Sequence, residues 1–144
     1  MMTAKLIVYN PQSLRNKIDK KEGIIKSSIA NFGHTPYGHS IIGKVWYDID
    51  NKDGCHEFVM NITGEGDPDT SPSPIVLVDR GNWSFVTKVR NVEHAGGALA
   101  IIIDDKGKKM VDHVIMVDDG TGGGISIPSI LISYENGDKI SKFI

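Results

Sequence analysis

Ile75-Val76-Leu77-Val78-Asp79-Arg80-Gly81-Asn82-Trp83-Ser84-Phe85, running on through Gly96-Gly97 to Leu99-Ala100-Ile101-Ile102-Ile103, is the stretch that decides the fold. Residues 75–78 are consecutive β formers, the pattern of a strand buried on both faces. Residues 79–83 form a turn. Ser84 is placed to N-cap a helix that begins at Phe85. Phe85, Val89 and Val92 recur at helical spacing and mark its apolar face, with Lys88, Arg90, Asn91 and Glu93 filling much of the rest. Gly96-Gly97 ends the helix, and residues 99–103 are the next buried strand. Strand, helix and strand in about thirty residues make a βαβ unit, a parallel pair joined by a right-handed crossover.

Outward from this unit the elements are shorter. Upstream, Leu6-Ile7-Val8-Tyr9 reads as a strand closed by Asn10-Pro11. Residues 10–26 read as an irregular, solvated loop with a basic cluster at Lys17, Lys20 and Lys21, and residues 27–30 as a short strand. Residues 41–47 form a strand with Val45 and Tyr47 on one face and Trp46 on the other. Residues 48–54 are a polar turn, residues 58–62 a further strand, and residues 64–74 a surface loop rich in Gly, Pro, Asp and Ser. Downstream come a short strand at residues 114–117, a Gly-rich loop at 118–124, and a strand within residues 127–132 that has Pro128 near its start. Ser133 caps a final helix toward Phe143, with Ile140 and Phe143 on its buried face. The expected class is mixed α and β (α+β), in one domain spanning residues 1–144 without internal repeats.

Composition narrows the function. The chain has 144 residues, enough to bury a core without metal or disulfide staples. Its 16 Lys and Arg against 18 Asp and Glu give a net charge of −2, unlike the clustered basic excess of a nucleic-acid binder. No apolar run approaches a membrane span, and residues 1–5 lack the apolar region of a signal peptide. The single cysteine, Cys55, excludes an internal disulfide and a multi-thiolate metal site, and is read as a free, partly buried thiol.

No catalytic constellation is legible. Gly120-Thr121-Gly122-Gly123-Gly124 lacks the Lys-Ser/Thr and the following helix of a phosphate loop, so a flexible hairpin is expected. His34, His39, His56, His94 and His113 form no metal motif. Asp104-Asp105 and Asp118-Asp119 read as solvated turn residues. No metal or cofactor is expected. Arg80-Gly81-Asn82-Trp83 differs in kind: it lies past the carboxyl end of a parallel strand and before a helix start, beside donor N–H groups. Such a place suits a carboxylate, a peptide carbonyl or an extended chain. The alternative is internal, with Arg80 paired to a nearby acid, Asp118 first, and Trp83 packed as a lid. Two sequons, Asn61-Ile62-Thr63 and Asn82-Trp83-Ser84, point toward a secretory context, against the cytosolic indication of the lone cysteine.

The stretch from Ile75 to Ala98, followed by Ala100-Ile101-Ile102-Ile103-Asp104, resembles the protease-associated (PA) domain, whose core follows "VDRG…F..K..NA..AGA…I..D". Ile127-Pro128-Ser129-Ile130 resembles its strand before the last helix. Ala30-Asn31-Phe32-Gly33, Tyr37-Gly38 and Gly54-Cys55-His56-Glu57-Phe58 are similar to the PA domain of plant-type vacuolar sorting receptors. The resemblance implies a compact β-sandwich or open-barrel sheet core with a βαβ crossover and a C-terminal helix. It implies a non-catalytic module on the lumenal side of the endomembrane system, in a membrane-spanning parent. That module would bind sorting-signal peptides of soluble cargo and make no membrane contact of its own. The implied peptide groove draws on Asn31, Arg80, Gly81, Asn82, Trp83 and Asp118. The alternative parent is a membrane RING-type ubiquitin ligase or a protease, in which the module regulates or positions substrate. The chain departs from the receptor pattern where Ser28 and Trp83 stand for family cysteines and Tyr9 for an acidic residue, so the resemblance implies neither the family disulfides nor the family's cargo preference for this chain.

Overall fold

The computed structural model describes residues 3–8, 12–18, 23–30, 33, 41, 43–58, 74–81, 83–106, 120 and 123–143. The elements in chain order are β1 (Thr3–Ile7), α1 (Gln12–Ile18), β2 (Ile24–Ile29), β3 (Val45–Trp46), β4 (Ile75–Asp79), α2 (Phe85–His94), β5 (Leu99–Ile103), β6 (Ser129–Ile132) and α3 (Tyr134–Ser141). The strands form one six-stranded sheet in the order β1-β2-β6-β5-β4-β3. β3, β4, β5 and β6 run parallel, while β2 pairs antiparallel with both β6 and β1. The mixed α and β class, the βαβ crossover and the C-terminal helix are thus all present. Among the described residues the sheet core is one open sheet with helices on its faces, rather than two layers of strands.

The period of two along each strand divides the core. Val76, Val78, Ala100, Ile102 and Leu131 face one side, where Val86, Val89 and Val92 of α2 cover them. Ile75, Leu77, Ile101, Ile103, Ile130 and Ile132 face the other, where Leu14 of α1 and Ile140 of α3 complete the cluster. β4 and β5 are therefore apolar at nearly every position, because both faces are roofed. The same alternation puts Trp46 against the first cluster and Val45 and Tyr47 against the second, as the sequence implies. α3 lies close on β5 because residue 137 is a glycine: a Cβ there would meet Ile103 Cγ1 at 2.5 Å.

Several features differ from the sequence expectations, among them residues 24–26, expected as loop, which open β2. Residues 12–18, expected as loop, form α1, since Leu14 and Ile18 at a spacing of four give it an apolar edge against the second cluster. The strand expected at 41–47 is assigned only over Val45–Trp46. The buried face of α2 is centred on Val86, Val89 and Val92, with Phe85 half-buried at its rim. Phe143 lies exposed two residues past the end of α3, while Ile140 is buried as expected. The strands expected at 58–62 and 114–117 and the loop at 64–74 lie largely outside the described residues.

Polar clasps fix how α2 sits on the sheet. Ser84 caps it, its hydroxyl accepting from the Thr87 N–H at 3.2 Å. Lys88, expected on the solvent side, is fully buried; its ammonium donates to the Asp53 carbonyl and lies 3.8 Å from Cys55 Sγ. Asn91 donates to the Gly54 carbonyl at 2.8 Å. Lys88 and Asn91 thereby pin the turn after β3 beneath α2. On the far side, one oxygen of Glu93 accepts from Ser126 N at 2.7 Å, Ser126 Oγ at 2.8 Å and Ile127 N at 3.1 Å, fixing the approach to β6.

Partial burial alone would raise the Glu93 carboxyl, but these three donors outweigh it and hold the group below its ordinary value. A carboxyl lowered on folding contributes stability above its unfolded pKa of about 4.5 and loses that contribution as the pH falls through the folded pKa. Glu93→Gln should therefore show a shallower loss of stability than the unsubstituted chain as pH falls below about 4.5. Urea unfolding along an acid pH series checks this; parallel slopes for the two proteins would mean that the clasp is not charge-dependent.

Candidate peptide-binding site

The carboxyl ends of β3, β4 and β5 lie side by side, and two consecutive residues of the Asp79-Arg80-Gly81 turn bind the strands to either side. Asp79 accepts the Tyr47 hydroxyl on both carboxylate oxygens, at 3.1 Å each, which ties β4 to the chain leaving β3. Burial pushes the Asp79 carboxyl up, against the pull of Tyr47 and of the Lys52 and Lys88 charges. The Tyr47 hydroxyl is likewise pushed up, by burial first and then by the Asp79 charge. Arg80 turns the other way. Its backbone N–H donates to the Ile103 carbonyl at 2.8 Å, and its Nη1 donates to Asp104 Oδ1 at 2.8 Å.

The partner of Arg80 is thus Asp104. Asp118, the first candidate from sequence, lies outside the described residues. Asp104 is also no solvated turn residue: its side chain has no exposed surface, whereas that of Arg80 keeps 32%. The reason is register. β4 and β5 pair in parallel from Ile75↔Leu99 to Asp79↔Ile103, so the next position sets Arg80 beside Asp104. Asp105, the true solvated member of the pair, has a carboxylate oxygen 3.9 Å from Arg80 Nε. The Arg80 guanidinium also lies over the Phe85 ring, 5.1 Å from its centroid. Asp104 Oδ2 is buried and, among the described residues, has no hydrogen-bond partner.

These ends border a cleft of about 340 Å³, closed on its far side by Tyr134, Asp138 and Ser141 of α3. Arg80, Lys52 and Lys106 bring positive charge to it; Asp79, Asp104, Asp105 and Asp138 bring negative charge. Among the described residues no group of three His, Cys, Asp or Glu could hold a metal ion, and no helix is long and apolar enough to cross a membrane. The arrangement offers donors and acceptors at fixed positions.

Of the other residues expected here, Gly81 and Trp83 belong to the same turn, and both are exposed. Gly81 takes a φ of 151°, which favours glycine. Trp83 has a φ of 67°, the described non-glycine residue in the left-handed region, and the residue is 67% exposed. It is therefore no packed lid. Asn31, Asn82 and Asp118, and the sequon residue Asn61, lie outside the described residues. Sequence reasoning missed Asp104, Tyr47 and Asp79 as parts of one site. Extending the parallel pairing of residues 75–79 with 99–103 by one step would have found Asp104.

A tryptophan held in the left-handed region stores strain of about 1 kcal/mol or more. Trp83→Gly should accordingly be more stable than Trp83→Ala by about 1 kcal/mol, since both remove the indole and glycine alone relieves the backbone. Denaturant unfolding of the two variants gives the comparison; equal stabilities would show that the turn is unstrained.

Comparison with known proteins agrees with this architecture. The chain is 31% identical to vacuolar-sorting receptor 1 of Pisum sativum over 148 residues, covering all of this chain and 23% of the receptor. It is 32% identical over 114 residues to receptor homology region, transmembrane domain- and RING domain-containing protein 2 of Arabidopsis thaliana, covering 79% of this chain and 24% of that protein. The chain therefore spans less than a quarter of these relatives. A solved structure of BSAP, a zinc aminopeptidase from Bacillus subtilis, superposes with a TM-score of 0.60 at 19% identity, over 83% of this chain and 26% of that one, a likeness of fold. The PA domain family model matches residues 41–140, which hold the parallel strands, the crossover helix and the Asp-Arg-Gly turn, and the chain belongs to the PA domain family.

Proposed function

We propose that this PA domain is a non-catalytic peptide-binding module of a vacuolar or lysosomal sorting receptor. It would hold an extended segment of soluble cargo against the loops at the carboxyl ends of its parallel strands. The observation that carries this reading is the Arg80 guanidinium, fixed by Asp104 and Phe85 yet a third exposed, at the mouth of the turn that also exposes Trp83. A fixed donor fork beside an exposed indole is the kind of anchor that peptide sites use. Gly81 lets the chain turn there, and Asn31, Asn82 and Asp118 join the site through the family resemblance. The likeness to sorting receptors over the whole chain supports the cargo reading and a lumenal location. On this reading the sequons at Asn61 and Asn82 are open to glycosylation.

A second reading, favoured by the 32% identity to the Arabidopsis RING-containing protein, places the same module in a RING-type ubiquitin ligase. The peptide site would then select a partner for that enzyme. The two readings share the site and differ in the parent.

Arg80 serves the fold as well as the site, which changes the choice of variant. Arg80→Ala strands a fully buried carboxylate and should cost about 3 kcal/mol, the low end of the buried range because Arg80 is partly exposed. Arg80→Lys keeps a positive charge near Asp104 and should cost about 1 kcal/mol, while losing the planar fork. The expected result is that Arg80→Lys retains a cooperative melt and binds a library-selected peptide weaker by about 2 kcal/mol in calorimetric titration. Unchanged affinity in Arg80→Lys would make Arg80 purely structural and remove the site.

A further inference from the structure

We infer that Asp104 sets the charge selectivity of the site: by holding and neutralising Arg80, it directs the remaining donors of the guanidinium to an uncharged peptide carbonyl rather than to a carboxylate. The inference rests on the reading of Arg80 as the peptide contact. Asp104 does not touch the ligand in this arrangement; it is a positioning residue that acts through Arg80.

Arg80 Nη1 is taken by Asp104 Oδ1, and among the described residues no other side-chain acceptor lies within hydrogen-bond distance of the guanidinium. One face of the guanidinium is covered by Phe85. Its third of exposed surface is therefore open to a ligand, while Asp104 has none. A guanidinium carries more donors than this one contact uses, so it can keep Asp104 and still donate outward.

The charge of that guanidinium is already spoken for. Asp104 Oδ2 has no donor among the described residues, and Oδ1 accepts both Arg80 Nη1 and the Asp105 backbone N–H at 2.8 Å each, so Arg80 is the described cation that faces the buried carboxylate. Asp105 adds a second carboxylate at 3.9 Å from Nε. Among the described residues that line the cleft, four carboxylates stand against three cationic side chains. A ligand carboxylate entering here would meet an excess of negative charge, whereas a carbonyl would take the same donors without that repulsion. An arginine without such a partner would favour the carboxylate.

The test is retention of short random peptides, acetylated and amidated at their ends, on the immobilised chain, with sequencing of what is retained. Carboxylates then come only from Asp and Glu of the pool. The unsubstituted chain should retain peptides depleted in Asp and Glu, with retention changing less than about twofold between low and high salt. Asp104→Asn keeps the shape and an acceptor for Nη1 but frees the charge of Arg80, and should raise the share of acidic peptides on the order of tenfold. Acidic peptides retained by the unsubstituted chain, or steeply salt-dependent retention, would overturn the inference without any variant. So would an Asp104→Asn pool identical to the unsubstituted one. Arg80→Lys separates the two levels: if it retains as much as the unsubstituted chain, or if that chain retains nothing, the peptide-binding reading itself fails. If only the Asp104→Asn or salt result fails, that reading stands and the selectivity does not.

Discussion

A carboxylate with no exposed surface ends β5, and a guanidinium reaches it from the end of β4 at 2.8 Å. Burying an unpaired charge is costly, so wherever this strand pair forms in register, Arg80 must turn toward Asp104. Much else follows from that constraint. The Arg80 side chain is drawn back over Phe85 at the start of α2, its backbone N–H meets Ile103, and the chain has to reverse through Gly81 and Trp83 to enter the helix. The strained and exposed turn is the consequence of a strand end anchored on one side and a capped helix start on the other.

The same logic explains which polar residues of the crossover unit are internal. Asp79 binds the segment after β3 through Tyr47, and Arg80 binds the segment after β5 through Asp104. Lys88 and Asn91 of α2 reach down to carbonyls of the turn after β3. A buried ammonium is tolerable here because it has a carbonyl acceptor and the fields of nearby carboxylates. Neighbouring strand ends are thereby locked beyond the carboxyl ends of the parallel strands, where ligands commonly bind in open α/β sheets. Most of the polar residues in the family pattern thus have a structural task, and what is left for binding is the part of them that stays exposed.

The central unit was legible from residues 75–103 because its signals agree: two apolar runs, a serine cap, a valine face and a glycine stop. The Ser133 cap and Ile140 likewise marked α3. Residues 10–26 were not legible, because α1 has only Leu14 and Ile18 as an apolar edge among polar neighbours, and its helicity depends on packing that sequence does not display. Lys88 looked solvent-facing because its type usually is; only the turn folded beneath α2 buries it. The candidate site was half legible. Arg80, Gly81 and Trp83 drew notice by type and place, but Asp104 hid in a pair that looks like an ordinary turn, and only strand register separates its buried carboxylate from the exposed one of Asp105.

The central claim is that Arg80 binds peptide while remaining anchored to Asp104. A crystal structure of the domain with a retained, end-blocked peptide addresses it most directly. The account predicts that the Arg80–Asp104 hydrogen bond stays near its 2.8 Å length and that another donor of the same guanidinium meets a main-chain carbonyl of the peptide. A peptide seated away from Arg80, or an Arg80 that has left Asp104 to pair with a peptide carboxylate, would contradict it.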